Sequence, residues 1–152
     1  MSEPEFPNFA SLLRPYIEAV AEPARPRFLA RLERGAAERY RLWAAEAPGE
    51  DEIAERVERL FPADAAQLGE IEAALPGARD TYYGVFADLA PREQLRIQAN
   101  AERQGAAAWR LLASQQSDAG VRDELLACAG LEEESALFLE KLLGDPDAPL
   151  WA

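Results

Sequence analysis

Two segments of this chain share one spacing, a glutamate followed seven residues later by an aromatic side chain. Glu33 precedes Tyr40 in the first segment, and Glu102 precedes Trp109 in the second. Because seven residues make about two turns of an α-helix, each pair lies on one face of its helix. The match continues into the following helix with one deleted residue at the turn, and it spans roughly forty-five residues. The repeat predicts two related helical hairpins that pack together.

The composition favours an all-α protein of one domain and excludes several classes of function. The 152 residues are rich in Ala, Leu, Glu and Arg, and they show no strand alternation. A net charge of -12 argues against nucleic acid and against anionic membranes, because phosphates would meet mainly carboxylates. The absence of histidine excludes a His ligand or a His base supplied by this chain. Neither a signal peptide nor a membrane span is visible, so we expect a cytoplasmic protein.

Prolines and glycines divide the chain into helices. Pro62 lies inside the second long helix, and Pro76 with Gly77 is expected to end it. The predicted helices run over about 9–21, 27–47, 50–75 and 92–116, and from the turn at 117–120 to about 143.

The arrangement predicted from these helices is a ferritin-like up-down four-helix bundle with a long crossover and a short N-terminal helix. A connection of about fifteen residues between the second and third long helices is able to cross the bundle. The predicted segments are an N-terminal helical extension (1–26), hairpin one (27–76), a crossover (77–91), hairpin two (92–144) and a tail (145–152).

Each of the four long helices carries an apolar stripe that contains an acid. Burying one unpaired carboxylate costs several kcal/mol, so four in one interior need compensation by divalent metal ions, by protons or by arginines. Arg34 and Arg103 are the nearest arginines. The four acids are Glu33, Asp64, Glu102 and Glu132.

This pattern resembles the ferritin-like superfamily, and the rubrerythrin branch most of all. Members of that family carry Glu-x6-Tyr on one helix and Glu-x-x-His on the next, in each of two hairpins. The resemblance covers about residues 27–144 and implies a metal site formed by the four acids. The matching motifs are Glu33-x6-Tyr40 with Asp64-x-x-Gln67, and Glu102-x6-Trp109 with Glu132-x-x-Ser135. Tyr40, Gln67, Trp109 and Ser135 are the expected neighbours of the acids.

The departures from the family pattern leave two hypotheses open, beside a third possibility, a small-molecule pocket in the bundle core, for which the sequence gives no specific signal. Gln67 and Ser135 replace both metal-binding histidines, and Asp64 is shorter than the family's glutamate. An all-oxygen site suits Mn, Mg or Ca, with Fe(II) also a candidate. The first hypothesis is therefore a ferritin-like protein with a histidine-free carboxylate site for one or two divalent metal ions. The second is a non-catalytic ferritin-like bundle that acts as a dimerisation or protein-interaction module through its helix faces. Neither hypothesis decides whether the protein is an enzyme.

Overall fold

The described part of the chain is helical, as the sequence predicts. The computed structural model of the protein describes residues 6–43, 49–145 and 147, and for residues 36–43 it describes the backbone alone. Within these ranges there is no strand, and no helix has the length and apolar character that a membrane span requires. The helices are α1 (Phe9–Glu18), α2 (Arg25–Trp43), α3 (Glu50–Leu60), α4 (Ala65–Phe86), α5 (Pro91–Ser114) and α6 (Ala119–Gly144), with one turn of 3-10 helix at Glu22–Ala24.

Two antiparallel helix pairs, α2 with α3 and α5 with α6, form the part of the fold that carries the acids. Arg103 on α5 donates to both carboxylate oxygens of Glu140 on α6, at 2.8 and 3.0 Å. Arg34 on α2 donates in the same way to Glu58 on α3, at 3.1 Å to each oxygen. Contacts between α3 and α6 join the two pairs.

The predicted helix over 50–75 is wrong, because the chain breaks at Pro62 into α3 and α4. A proline disfavours the helical conformation in the residue before it, and it has no N–H to donate. Asp64 then begins a new helix as the N-cap of α4. Its carboxylate accepts from the Gln67 backbone N–H at 2.8 Å, and the Gln67 side chain accepts from the Asp64 N–H at 3.0 Å. This capping box supplies partners for two backbone donors that a helix start would leave without one.

The predicted non-helical crossover at 77–91 is also wrong for residues 77–86. Helix α4 continues through Pro76 and Gly77 and ends at Phe86. The apolar residues of this segment recur with the period of a helix, but Pro76 and Gly77 made the sequence look like the end of one. Those buried on the core side of α4 are Ile71, Ala74, Leu75, Ala78 and Phe86.

Packing against α1 explains why α4 tolerates a glycine in its interior. A Cβ placed on Gly77 would lie only 2.5 Å from Cε1 of Tyr16, so the missing side chain lets α1 approach closely. The Tyr16 hydroxyl also hydrogen-bonds to the Thr81 hydroxyl at 2.9 Å. Burial of the α1–α4 interface thus outweighs the cost of glycine in a helix, which is about 1 kcal/mol.

Candidate functional site

Four glutamates, one from each of α2, α3, α5 and α6, converge at one point between the two helix pairs. They are Glu33, Glu50, Glu102 and Glu132, and one carboxylate oxygen of each lies within 4.8 Å of the others. The last three are at most 2% exposed. Glu33 is partly buried as a residue, but its carboxylate faces the other three. The structure therefore brings together three of the four acids that the sequence predicts.

Asp64, the remaining predicted ligand, lies elsewhere. It is exposed at the N-terminus of α4, where Gln67 is its capping partner rather than a neighbour of the acids. The prediction extended the apolar stripe of α3 across Pro62 as if the helix were continuous. Because the helix stops at Leu60, the stripe does not carry over, and the inward placement predicted for Asp64 and Gln67 is wrong.

Glu50 takes the fourth position, and the sequence analysis missed it. Gly49 precedes it with a φ of 89°, a conformation that glycine adopts without strain, and α3 begins directly afterwards. A Cβ on Gly49 would also lie 3.2 Å from that of Leu131 on α6. A signal was present, since one step of three back from Ile53 along its apolar stripe reaches Glu50. Its place in the first turn after a Pro-Gly pair made it look like an ordinary helix start.

Two of the predicted neighbours do contact the acids. Trp109 is buried, and its Nε1 donates to a carboxylate oxygen of Glu132 at 3.2 Å. Ser135 is fully buried beside Glu50, and its hydroxyl favours the charged form of that side chain. The side chain of Tyr40 lies outside the described residues.

A second feature that the sequence analysis missed is a chain of hydrogen bonds that orients Glu102. The Tyr82 hydroxyl on α4 donates to Gln98 Oε1 at 2.6 Å, and Gln98 Nε2 donates to Glu102 Oε1 at 2.8 Å. This leaves Gln98 with both ends bonded although it is only 1% exposed. Glu102 Oε1 is thereby held by a donor, whereas Oε2 is buried and accepts no hydrogen bond of good geometry.

The two arginines that the sequence analysis named as possible partners of the acids form ion pairs elsewhere. Arg34 pairs with Glu58 and Arg103 with Glu140, both away from the cluster. Three buried oxygens, both of Glu50 and Oε2 of Glu102, have no hydrogen-bond partner of good geometry among the described residues. A buried carboxylate oxygen without a donor is costly, so the cluster requires a compensating positive charge or protons.

Burial shifts the proton affinities of the acids upward. Desolvation raises the pKa of Glu33 to about 8, a hydrogen bond with Glu132 opposes the rise, and the negative charge of Glu102 adds to it. Desolvation raises the pKa of Glu50 to about 10, with further increases from the charges of Glu102 and Glu33. The pKa of Glu132 is also raised well above its usual value, first by burial and then by the same two charges. Together the shifts describe three acids with raised affinity for protons, so a cation that binds their carboxylates would displace protons.

Comparison with known proteins adds no functional assignment, because no protein-family model, no curated protein and no solved structure matches this chain. The four carboxylates and their surroundings are therefore the basis for assigning a function.

The capping role of Asp64 gives a prediction that separates it from the four clustered acids. Asp64→Ala should lower the free energy of unfolding by about 1 kcal/mol, since the capping box is lost. Asp64→Asn should leave it within a few tenths of a kcal/mol, because asparagine caps as well as aspartate. Urea unfolding of both variants and of the exposed control Glu70→Ala measures this. Equal losses in Asp64→Asn and Asp64→Ala would contradict a pure capping role.

Proposed function

We propose that this chain is a ferritin-like helical bundle that binds one or two divalent metal ions through Glu33, Glu50, Glu102 and Glu132. The observation that carries the proposal is the set of buried carboxylate oxygens on Glu50 and Glu102 that accept no hydrogen bond of good geometry from the described residues. Both residues belong to the group of four acids, in which a cation could bind one carboxylate oxygen of each.

The size of the cluster fits a metal ion. Oxygens that are at most 4.8 Å apart share a central point no more than about 3 Å from each of them. Oxygen–metal distances are about 2.0–2.1 Å for Mg²⁺ and about 2.3–2.6 Å for Ca²⁺. Side-chain movements of less than about 1 Å would therefore complete the coordination.

The charge of the cluster also fits. Four ionised carboxylates carry four negative charges, which two divalent ions would neutralise. Carboxylate ligands without histidine or thiolate suit Mn²⁺, Mg²⁺, Ca²⁺ and Fe²⁺. Trp109 and Gln98 donate to oxygens of Glu132 and Glu102. Such donors would hold the ligands in place, as outer hydrogen bonds do around metal sites.

Metal titration of chelator-treated protein tests the proposal. Because a ligand of the native state stabilises it, at least one of Mn(II), Ca(II), Mg(II) and anaerobic Fe(II) should raise the melting temperature by several degrees at saturation. Glu132→Gln should abolish the rise. Glu134→Gln, an exposed position on the same helix, should retain it. No shift with any of the four metals, or an equal shift in both variants, would refute the site.

A second candidate function is a protein-interaction module whose acids are neutralised by protons. Its supporting observation is a set of large apolar side chains on the surface of α5 and α6: Leu111, Leu126 and Leu137 are 63%, 44% and 49% exposed. Apolar side chains of this kind on a helical pair can form a dimer interface. Sedimentation of metal-free protein distinguishes the candidates, since a dimer that Leu137→Glu dissociates, without any metal-dependent shift, would favour this one.

A further inference from the structure

A cavity of about 210 Å³, partly open to solvent, lies beside the four acids. Its walls come from α1, α2, α4 and α5, with Glu132 from α6, where two hydrophobic clusters of the core meet. The wall side chains are mostly apolar, among them Phe9, Leu13, Leu32, Tyr82 and Ala101. A cavity of this size and lining is large enough for an organic molecule, since an engineered apolar cavity of about 150 Å³ in another protein binds benzene.

Three of the four clustered acids form a polar part of the cavity wall, and Arg79 and Gln104 are further polar residues in that wall. Glu33, Glu102 and Glu132 line the cavity together with Trp109 and Gln98. A molecule inside would therefore have its apolar body against α1 and α4 and one end beside carboxylate oxygens. Glu102 is among these acids, and its Oε2 is buried and accepts no hydrogen bond of good geometry from the described residues.

We propose that this cavity binds a small neutral molecule of about eight heavy atoms, such as an alkylphenol, with an apolar body and one oxygen-bearing end directed at the acids. An anionic end is excluded there by repulsion from the carboxylates. A cationic end would be attracted by the same carboxylates that the proposed function assigns to metal ions, so the ligand proposed here is a neutral one, whose binding does not require those charges. A neutral hydroxyl can hydrogen-bond to the carboxylates whether or not a metal ion is present, so this inference does not depend on the proposed metal.

The mouth of the cavity offers a matched pair of positions on α5. Ala108 lines the cavity, whereas its neighbour Ala107 does not, and both are exposed. A tryptophan at position 108 would fill the space available to a ligand, and a tryptophan at position 107 would lie outside it. Both substitutions add the same apolar side chain to the same helix, so their difference isolates the cavity.

Calorimetric titration with p-cresol tests the inference on chelator-treated protein and on Mn(II)-treated protein. We expect saturable binding of one p-cresol per chain, at least tenfold weaker binding of p-toluate, and several-fold weaker binding of toluene, which lacks the oxygen. Ala108→Trp should weaken p-cresol binding at least tenfold, and Ala107→Trp less than twofold. Thermal melts confirm that both variants fold, and Ala101→Leu replaces Ala108→Trp if that chain does not.

Three results would overturn the inference: no saturable p-cresol binding in either protein form, equal or tighter binding of p-toluate or toluene, or unchanged binding when the cavity is filled. Each is independent of the metal titration. A protein that binds Mn(II) but not p-cresol refutes the cavity ligand alone, and one that binds p-cresol without any metal-dependent shift refutes the metal site alone.

Discussion

Glu50→Gln is expected to stabilise the metal-free protein by about 3 kcal/mol at pH 8, although it removes a proposed ligand. The side chain is fully buried, and its pKa is raised from 4.5 to about 10, mainly by desolvation. Between pH 4.5 and 8 the unfolded chain releases the Glu50 proton while the folded chain retains it. Wild-type stability therefore falls through this range. Glutamine stays neutral, and its amide can donate to the nearby carboxylate of Glu102.

The pH dependence has a definite sign. A buried acid with a raised pKa contributes its full stability below pH 4.5, and this contribution is lost as the pH rises to the pKa of the folded state. That pKa is about 8 for Glu33 and about 10 for Glu50. Each such group adds a slope of up to about 1.4 kcal/mol per pH unit. Removing Glu50 should flatten the profile by a comparable amount, and the stability gain should be small at pH 5.

Urea unfolding in excess chelator at pH 5, 6.5 and 8 measures these changes. Glu55→Gln, at an exposed position on the same helix, serves as the control and should change stability by less than about 0.5 kcal/mol at every pH. Metal affinity should fall in Glu50→Gln while metal-free stability rises, which is the usual relation between a strained site and its function. A variant less stable than wild type at pH 8 would show that Glu50 is not a buried source of strain.

The helical class and the inward placement of three acids could be predicted from local pattern alone. The stripe of α6 places Glu132 between buried apolar residues such as Cys128 and Leu139, and it matches the structure because α6 runs unbroken from Ala119 to Gly144. Periodicity is reliable over such a length, since every residue in one helix keeps a fixed angular relation to the others. Glu102 on the unbroken α5 follows for the same reason.

The fourth acid was not predicted because the stripe of α3 was followed forward across Pro62 to Asp64 and not back to Glu50. Because the helix is interrupted at Pro62, the helical periodicity of α3 does not determine which way the Asp64 side chain faces. At Pro76 the helix continues, because contacts of α4 with α1 and α2 stabilise it despite poor local propensity. Sequence spacing alone does not predict which proline ends a helix and which lies inside a helix that tertiary packing stabilises. The stripe of α3 reaches back to Glu50, but the burial of this residue also depends on the packing of α3 against α6, which has no local signature.

Gly105→Ala is expected to weaken metal binding at least tenfold while leaving the metal-free fold intact. A Cβ at position 105 would lie 2.9 Å from both Cδ and Oε2 of Glu132, closer than such atoms normally approach. The Glu132 carboxylate would have to move, although Trp109 donates to it and the residue is only 1% exposed. Displacing one ligand by a few tenths of an ångström disturbs a site that needs all four carboxylates together. Alanine should meanwhile favour the helix by up to about 1 kcal/mol, so global unfolding would not explain the loss.

Gly130→Ala on α6 is the matched control, because a Cβ there would meet no atom within 4 Å. It should stabilise the protein by up to about 1 kcal/mol and leave Mn(II) affinity unchanged. Calorimetric titration with Mn(II), paired with urea unfolding in chelator, separates the two effects for each variant. If Gly105→Ala bound the metal as tightly as wild type while Glu132→Gln did not, Glu132 would have a second usable orientation. The missing side chain at position 105 would then contribute helix packing rather than space for a ligand.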